Sequence, residues 1–346
     1  MGKKLSLILF AVVTILFSVN GLAAPSDTTV SDLYNAAKAE GKVTWQFLGP
    51  VNMVKPIADA FQAKYPDIKV SVFSYGATLI ATRIITEASA KKLSLDIATA
   101  FPNYFIPLLE RKLLTKHDWT KIGVSKGNIL LDGTSVATQD TPYIWFYNKN
   151  LVSKAEVPKT WEDILDPRWK GGKITVRAAP SALAPLFPLW KKDKQRVADY
   201  LEKLRKQEVV AGKRGAEVAS RVASGECPLG KVAAELVVNL IAGNAPVGVC
   251  PISPTAGSPV VAAIPQHVPH PNSAKLFIAW LSSPEGRAAS KKAGMGVATP
   301  CDASSLAQLL CDNGITYEPI TSIEDLTTFD GEFSKMVVEK MGFLPE

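Results

Sequence analysis

The 346-residue chain has only three histidines and four cysteines, and none of the cysteines forms a CxxC pair. A zinc site built from closely spaced thiolates is therefore not indicated. No GxSxG, HExxH or GxxxxGK[ST] motif occurs, so the usual signatures of α/β-hydrolases, zinc peptidases and P-loop NTPases are missing. The formal net charge is +7, yet no run of five or six like charges gathers it in one place. A nucleic-acid-binding arm is not expected from so dispersed a surplus. Internal repeats and low-complexity tracts are also lacking. Past the N-terminus the longest apolar candidate, residues 232–242, is far shorter than the roughly 20 residues a span needs. It is also interrupted by Glu235 and Asn239.

What is present begins with a leader. Lys3 and Lys4 form a basic start, and Leu5 to Val19 is apolar apart from Ser6, Thr14 and Ser18. Gly21-Leu22-Ala23-Ala24 then supplies small residues. This order reads as a secretory signal peptide over residues 1–23, cleaved after Ala23. No cysteine follows the apolar core, so a free periplasmic protein is expected rather than a lipoprotein. At 47% hydrophobic residues, the rest can fill packed cores, and its length suits two domains. The four cysteines, Cys227, Cys250, Cys301 and Cys311, permit three pairings in a compartment that tolerates disulfides. The short-loop choice is Cys227–Cys250 with Cys301–Cys311.

The first half alternates strand and helix. Residues 43–48, 68–74 and 95–99 read as strands, and 55–65, 78–90 and 105–114 as helices. That alternation implies a parallel sheet covered by helices. Residues 135–147 read as one long extended segment. Further helices are expected at 191–207, 216–224, 232–242 and 272–281, with strands at 173–177, 247–250 and 258–264. Ser283-Pro284-Glu285 carries the residues that restart a helix.

Three segments carry a resemblance. The first is Tyr147-Asn148-Lys149 followed by Val157-Pro158-Lys159-Thr160-Trp161-Glu162-Asp163-Ile164-Leu165-Asp166-Pro167-Arg168-Trp169-Lys170-Gly171. The second is Ala274-Lys275-Leu276-Phe277-Ile278-Ala279-Trp280-Leu281-Ser282-Ser283-Pro284-Glu285-Gly286, and the third is the helix ending Ser224-Gly225-Glu226. In this order they resemble the extracellular solute-binding proteins of ABC importers, in the branch that includes ferric-ion-binding proteins. The resemblance implies the α/β, type II periplasmic-binding-protein fold, with two α/β lobes, a hinge of extended crossovers and a ligand cleft between the lobes. Lobe 1 is expected to comprise 24–135 plus 255–300, and lobe 2 136–254 plus 301–346. Crossovers are expected near 133–140, 250–256 and 300.

In such a fold the strand-to-helix turns face the cleft, and helix N-termini offer N–H groups to anions. Candidate ligand-binding residues in the first lobe are Gly49, Pro50, Tyr75, Gly76, Ala77, Thr78 and Phe101. In the second lobe they are Tyr143, Arg177, Ser181, Arg214 and Glu235. Arg177 suits bidentate capture of a carboxylate or phosphate. Glu235 stands in an otherwise apolar helix, where Arg214 is its expected partner. The iron-binding relatives hold Fe(III) with adjacent tyrosines. Here no two tyrosines adjoin, and the matching positions are Ala233-Ala234-Glu235-Leu236. The expected function is therefore capture of a small, organic anion by a monomeric, non-enzymatic protein, without cofactor, for delivery to a membrane permease. A ferric-ion or other metal carrier is the alternative reading, and a periplasmic enzyme on the same fold the third.

Overall fold

The computed structural model describes residues 27–49, 51–297, 301 and 304–343. The proposed signal peptide, residues 1–23, lies outside them. Among the described residues, no helix is long and apolar enough to cross a membrane.

Among the described residues, thirteen strands form two main sheets and one small one. In chain order they are β1 (Lys42–Phe47), β2 (Lys69–Ser74), β3 (Ile97–Ala100), β4 (Ile129–Leu130), β5 (Ser135–Gln139), β6 (Tyr143–Asn148) and β7 (Ile174–Arg177). There follow β8 (Val210–Gly212), β9 (Leu229–Ala233), β10 (Val247–Val249), β11 (Thr255–Gly257), β12 (Val260–Ala263) and β13 (Tyr317–Pro319). The first sheet runs β2-β1-β3-β12-β5-β4, the second β10-β6-β9-β7-β8, and β11 pairs with β13 alone. Strands β1, β2 and β3 are parallel, as the alternating pattern requires. Strand β12 returns antiparallel between β3 and β5. The chain therefore leaves the first sheet after Gln139 and re-enters it at Val260.

Each lobe has an aromatic centre. In the first, Phe277 is fully buried, with its ring 5.0 Å from Trp45 and 4.9 Å from Phe61. It comes from the helix Pro271–Ser282, whose Leu276, Phe277 and Trp280 face inward. Ser283 then accepts from the Gly286 amide and starts the next helix, as Ser-Pro-Glu predicts. In the second lobe Phe187, Trp190, Phe329 and Phe333 pack together, Phe187 stacked on Trp190 and Phe329 on Phe333, with edge-to-face contacts between the two pairs. This joins the helix Phe187–Lys192 to the C-terminal segment.

Local competition moved several expected boundaries. The extended stretch 135–147 is two strands in different sheets, broken at Asp140-Thr141-Pro142. The helix expected over 191–207 breaks at Asp193, whose carboxylate accepts from the Arg196 amide and caps a new helix, Lys194–Arg205. The apolar run at 232–242 starts as strand β9 and becomes helical only at Ala234.

Cys301 and Cys311 form a disulfide, with Cα atoms 5.8 Å apart. The Cys227–Cys250 pairing is corrected: both are free, buried thiols. Strand register gives the reason. Cys250 lies level with Trp145, whose carbonyl accepts from the Cys250 amide, and Trp145 in turn pairs with Lys231. Cys227, two residues before β9, is therefore four residues, or about 13 Å, out of step along the strand direction, beyond the roughly 7 Å limit for a bridge. Two outcomes follow. Replacing Cys301 and Cys311 by serine should lower unfolding free energy by about 2–3 kcal/mol in a urea titration, since the bridge closes a loop of sequence separation 10. Thiol titration should find essentially no reactive cysteine in the native protein and two after denaturation.

Candidate functional site

Between the two lobes lies a cavity of about 680 Å³. The first lobe supplies one wall, Phe101, Asn103 and Tyr104, from the turn that follows β3. This turn is the one nearest the crossings, because β3 sits beside β12. The β1 and β2 turns lie further out in the sheet. The crossings supply Thr141, Gly257 and Ser258. Here the chains touch: the Thr141 hydroxyl donates to the Ser258 carbonyl, and a Cβ on Gly257 would collide with the Thr141 carbonyl. Only glycine allows this approach.

The second lobe supplies the polar wall. Tyr143 opens β6, Arg177 closes β7, and Ser181 lies on the short 3₁₀ turn that Pro180 begins. Arg177 Nη1 donates to the Tyr143 hydroxyl at 3.3 Å and to Ser181 Oγ at 3.2 Å. Burial pushes the Tyr143 phenol up, against the opposing pull of Arg177, so it remains a neutral donor. The three side chains hold a fixed charge and two hydroxyls at one point, an arrangement suited to an oxyanion. The C-terminal segment completes the wall with Phe329, Asp330, Ser334, Lys335 and Val338. Across the cleft, the helix Ile323–Thr328 packs on the first-lobe turn Pro102–Phe105.

Of the residues singled out from sequence, Phe101, Tyr143, Arg177 and Ser181 share this cavity. Gly49, Tyr75, Gly76, Arg214 and Glu235 do not line it. Gly49 follows β1 in a backbone conformation with φ of +143°, and Pro50 lies outside the described residues. Tyr75 packs under the Arg83 guanidinium, 4.8 Å from its ring. Its hydroxyl is buried without a hydrogen bond, and burial raises its pKa to about 12. Gly76 is the N-cap of the helix that Ala77 and Thr78 open, and the side chains of those two lie outside the described part. Arg214 is exposed at the N-cap of the helix Gly215–Ser224. Among the described residues, Glu235 has no arginine partner. Its Oε2 is buried without a hydrogen bond, in a separate small cavity.

Sequence reading missed the C-terminal contribution and Lys231. Lys231 lies in the central strand β9, 1% exposed. Its Nζ donates to the Tyr143 carbonyl at 3.2 Å and sits 4.7 Å and 5.2 Å from the Trp161 and Trp145 rings. Thr255 Oγ1 donates to the same carbonyl at 2.6 Å. The backbone of Tyr143 is thus pinned from the sheet and from a crossing at once. Burial holds the Lys231 ammonium well below its ordinary range. The hydrogen bond and the two indole faces offset that cost in part.

The molecule is similar to several two-lobed binding proteins of known structure. One is an ABC transporter substrate-binding protein from Bradyrhizobium japonicum, at 17% identity and TM-score 0.69, covering 87% of this chain and 99% of that one. A second is Trichodesmium IdiA (FutA) in complex with iron and citrate, at 15% identity and TM-score 0.69, covering 88% and 100%. A third is AfuA from Actinobacillus pleuropneumoniae with fructose-6-phosphate bound, at 19% identity and TM-score 0.63, covering 88% and 99%. These likenesses establish the fold. Among curated proteins none matches the chain by sequence. The sequence profile of the bacterial extracellular solute-binding proteins matches residues 56–315. By that match across most of its length, and with a cleft between two α/β lobes, the chain belongs to the bacterial extracellular solute-binding protein family.

Proposed function

We propose that this protein is the periplasmic binding subunit of an ABC importer and that it captures a small organic anion. The acidic group sits on Arg177, Tyr143 and Ser181, and the body of the ligand lies against Phe101 and Tyr104. The observation that carries this reading is the convergence of one guanidinium and two hydroxyls inside an interlobe cavity. Among the described residues, the first-lobe wall of that cavity bears no charged side chain. Acid recognition thus belongs to one lobe and shape recognition to the other. The ligands named for two similar structures, citrate with iron and fructose-6-phosphate, also carry carboxylate or phosphate. The cavity's two tyrosines, Tyr104 and Tyr143, come from opposite lobes, unlike an adjacent iron-binding pair. In this reading the lobes divide near residues 135 and 255, with the tail after 300 in the second. The protein works as a monomer, and the closed form is what the permease receives.

A thermal-shift panel tests the proposal with citrate, succinate, benzoate, inorganic phosphate, fructose-6-phosphate, glucose and ferric ion. An acid present at 100 times its dissociation constant should stabilise the protein by about 2.7 kcal/mol. Stabilisation by glucose alone, or a coloured ferric complex with no response to the acids, would overturn it.

A further inference from the structure

Glu235 has no role in the cavity described above, and its surroundings are unusual. Its carboxyl faces a second cavity of about 30 Å³, space for a water or two. Three parts of the molecule meet there. The first crossing contributes Gln139 and Asp140, the first lobe Lys291 and Gly296, and the second lobe Ser305 beside Glu235 itself. Oε2 of Glu235 is buried and accepts no hydrogen bond. A buried carboxylate with an unmet acceptor is costly, whereas a protonated carboxyl is much less so.

We propose that Glu235 is a proton-binding site coupled to lobe closure, neutral when the lobes enclose it and ionised when they part. The walls of its cavity belong to both lobes, so separation of the lobes admits water to the carboxyl. The inference rests on the hinge and not on the identity of the ligand. Among the described residues, the other charged groups facing the cavity are Asp140, from the first crossing, and Lys291, from the helix Pro284–Lys292. Tyr143 and Tyr317 lie near enough to feel the charge of Glu235. Among the described residues, the helix Ser305–Asp312 contributes Ser305 and Leu306 to the cavity lining, and the helix Gly215–Ser224 and β10 contribute none.

Burial raises the enclosed carboxyl from its ordinary value of 4.5 to about 7. The closed form binds the proton more tightly, so falling pH favours closure, and the effect is lost as pH rises through about 7. Between about pH 8.5 and 5.5 the closed-to-open ratio should rise roughly 30-fold.

The test is the interlobe distance distribution of the ligand-free protein, by pulsed electron paramagnetic resonance. Spin labels are placed on Lys112→Cys and Lys159→Cys; the native free thiols are buried. The parent protein should shift toward the short distance on acidification. Glu235→Gln should hold the acid-side distribution at both pH values, and Glu235→Ala, the second variant, should likewise lose the pH response. An unchanged distribution in the parent, or an equal shift in parent and variants, overturns the proposal.

Discussion

Replacing Arg177 by alanine is expected to weaken binding of the acidic ligand roughly 10- to 150-fold, the range that follows from losing a hydrogen bond to a charged group. The guanidinium donates to both Tyr143 and Ser181. Its removal leaves the two hydroxyls without their cationic partner, and, among the described residues, Lys335 and Asp330 as the charged side chains of that wall. Arg177→Lys should fall between, because an ammonium keeps the charge but cannot present two parallel N–H groups. Arg214→Ala is the matched control. Arg214 is cationic and also precedes a helix, but it is exposed and lines no part of the cavity. Titration calorimetry with the acid selected by screening should show little change for that variant. Equal losses for Arg177→Ala and Arg214→Ala would mean that general surface charge, not the cleft, draws the ligand.

Phe277→Ala should lower unfolding free energy by about 3–5 kcal/mol in a urea titration. Phe277 is fully buried and its ring lies against Trp45, Phe61 and Trp280. Three large rings cannot collapse onto one vacated site without leaving their own rotamers, so most of the void should persist. The exposed Leu79 of the same lobe is the comparison. Its replacement by alanine should cost no more than about 0.5 kcal/mol. A Phe277→Ala loss below about 1 kcal/mol would contradict the packing described for the first lobe.

The fold was legible where one physical signal dominated. Strand β2 alternates, the helix Pro271–Ser282 carries its aromatics at helical spacing, and Ser283-Pro284 is a start signal that nothing competes with. Legibility failed where two signals overlapped. The run 232–242 has helical spacing throughout, but its first two residues are needed by the central sheet, and cross-strand pairing with β6 wins. Lys231 belongs to the same error. A lysine breaks the apolar pattern of a buried strand, and the indole faces that make it tolerable come from Trp145 and Trp161, remote in sequence.

The site divides similarly. That Arg177 and Ser181 line the cavity was readable because they flank a strand-to-helix turn, and Phe101 for the same reason. Tyr143 was readable as the start of a strand leaving the hinge. The β1 and β2 turns have equally good local signals, yet sheet order sets them further from the crossings. That order is not written in either segment. Phe329, Ser334 and Lys335 carry no local mark of a binding role. They reach the cleft because the Phe187–Trp190 cluster captures Phe329 and Phe333. Glu235 was conspicuous as a lone carboxylate in an apolar helix, but its expected partner was inferred from charge alone. Burial leaves it without one.

The most direct test of the account is a crystal structure with the screened acid bound. The ligand should lie between the lobes, its acidic oxygens within hydrogen-bond reach of Arg177 and its body against Phe101 and Tyr104. A ligand seated on the outer face of one lobe, or lying in the cleft with its acidic group turned away from Arg177, would contradict it.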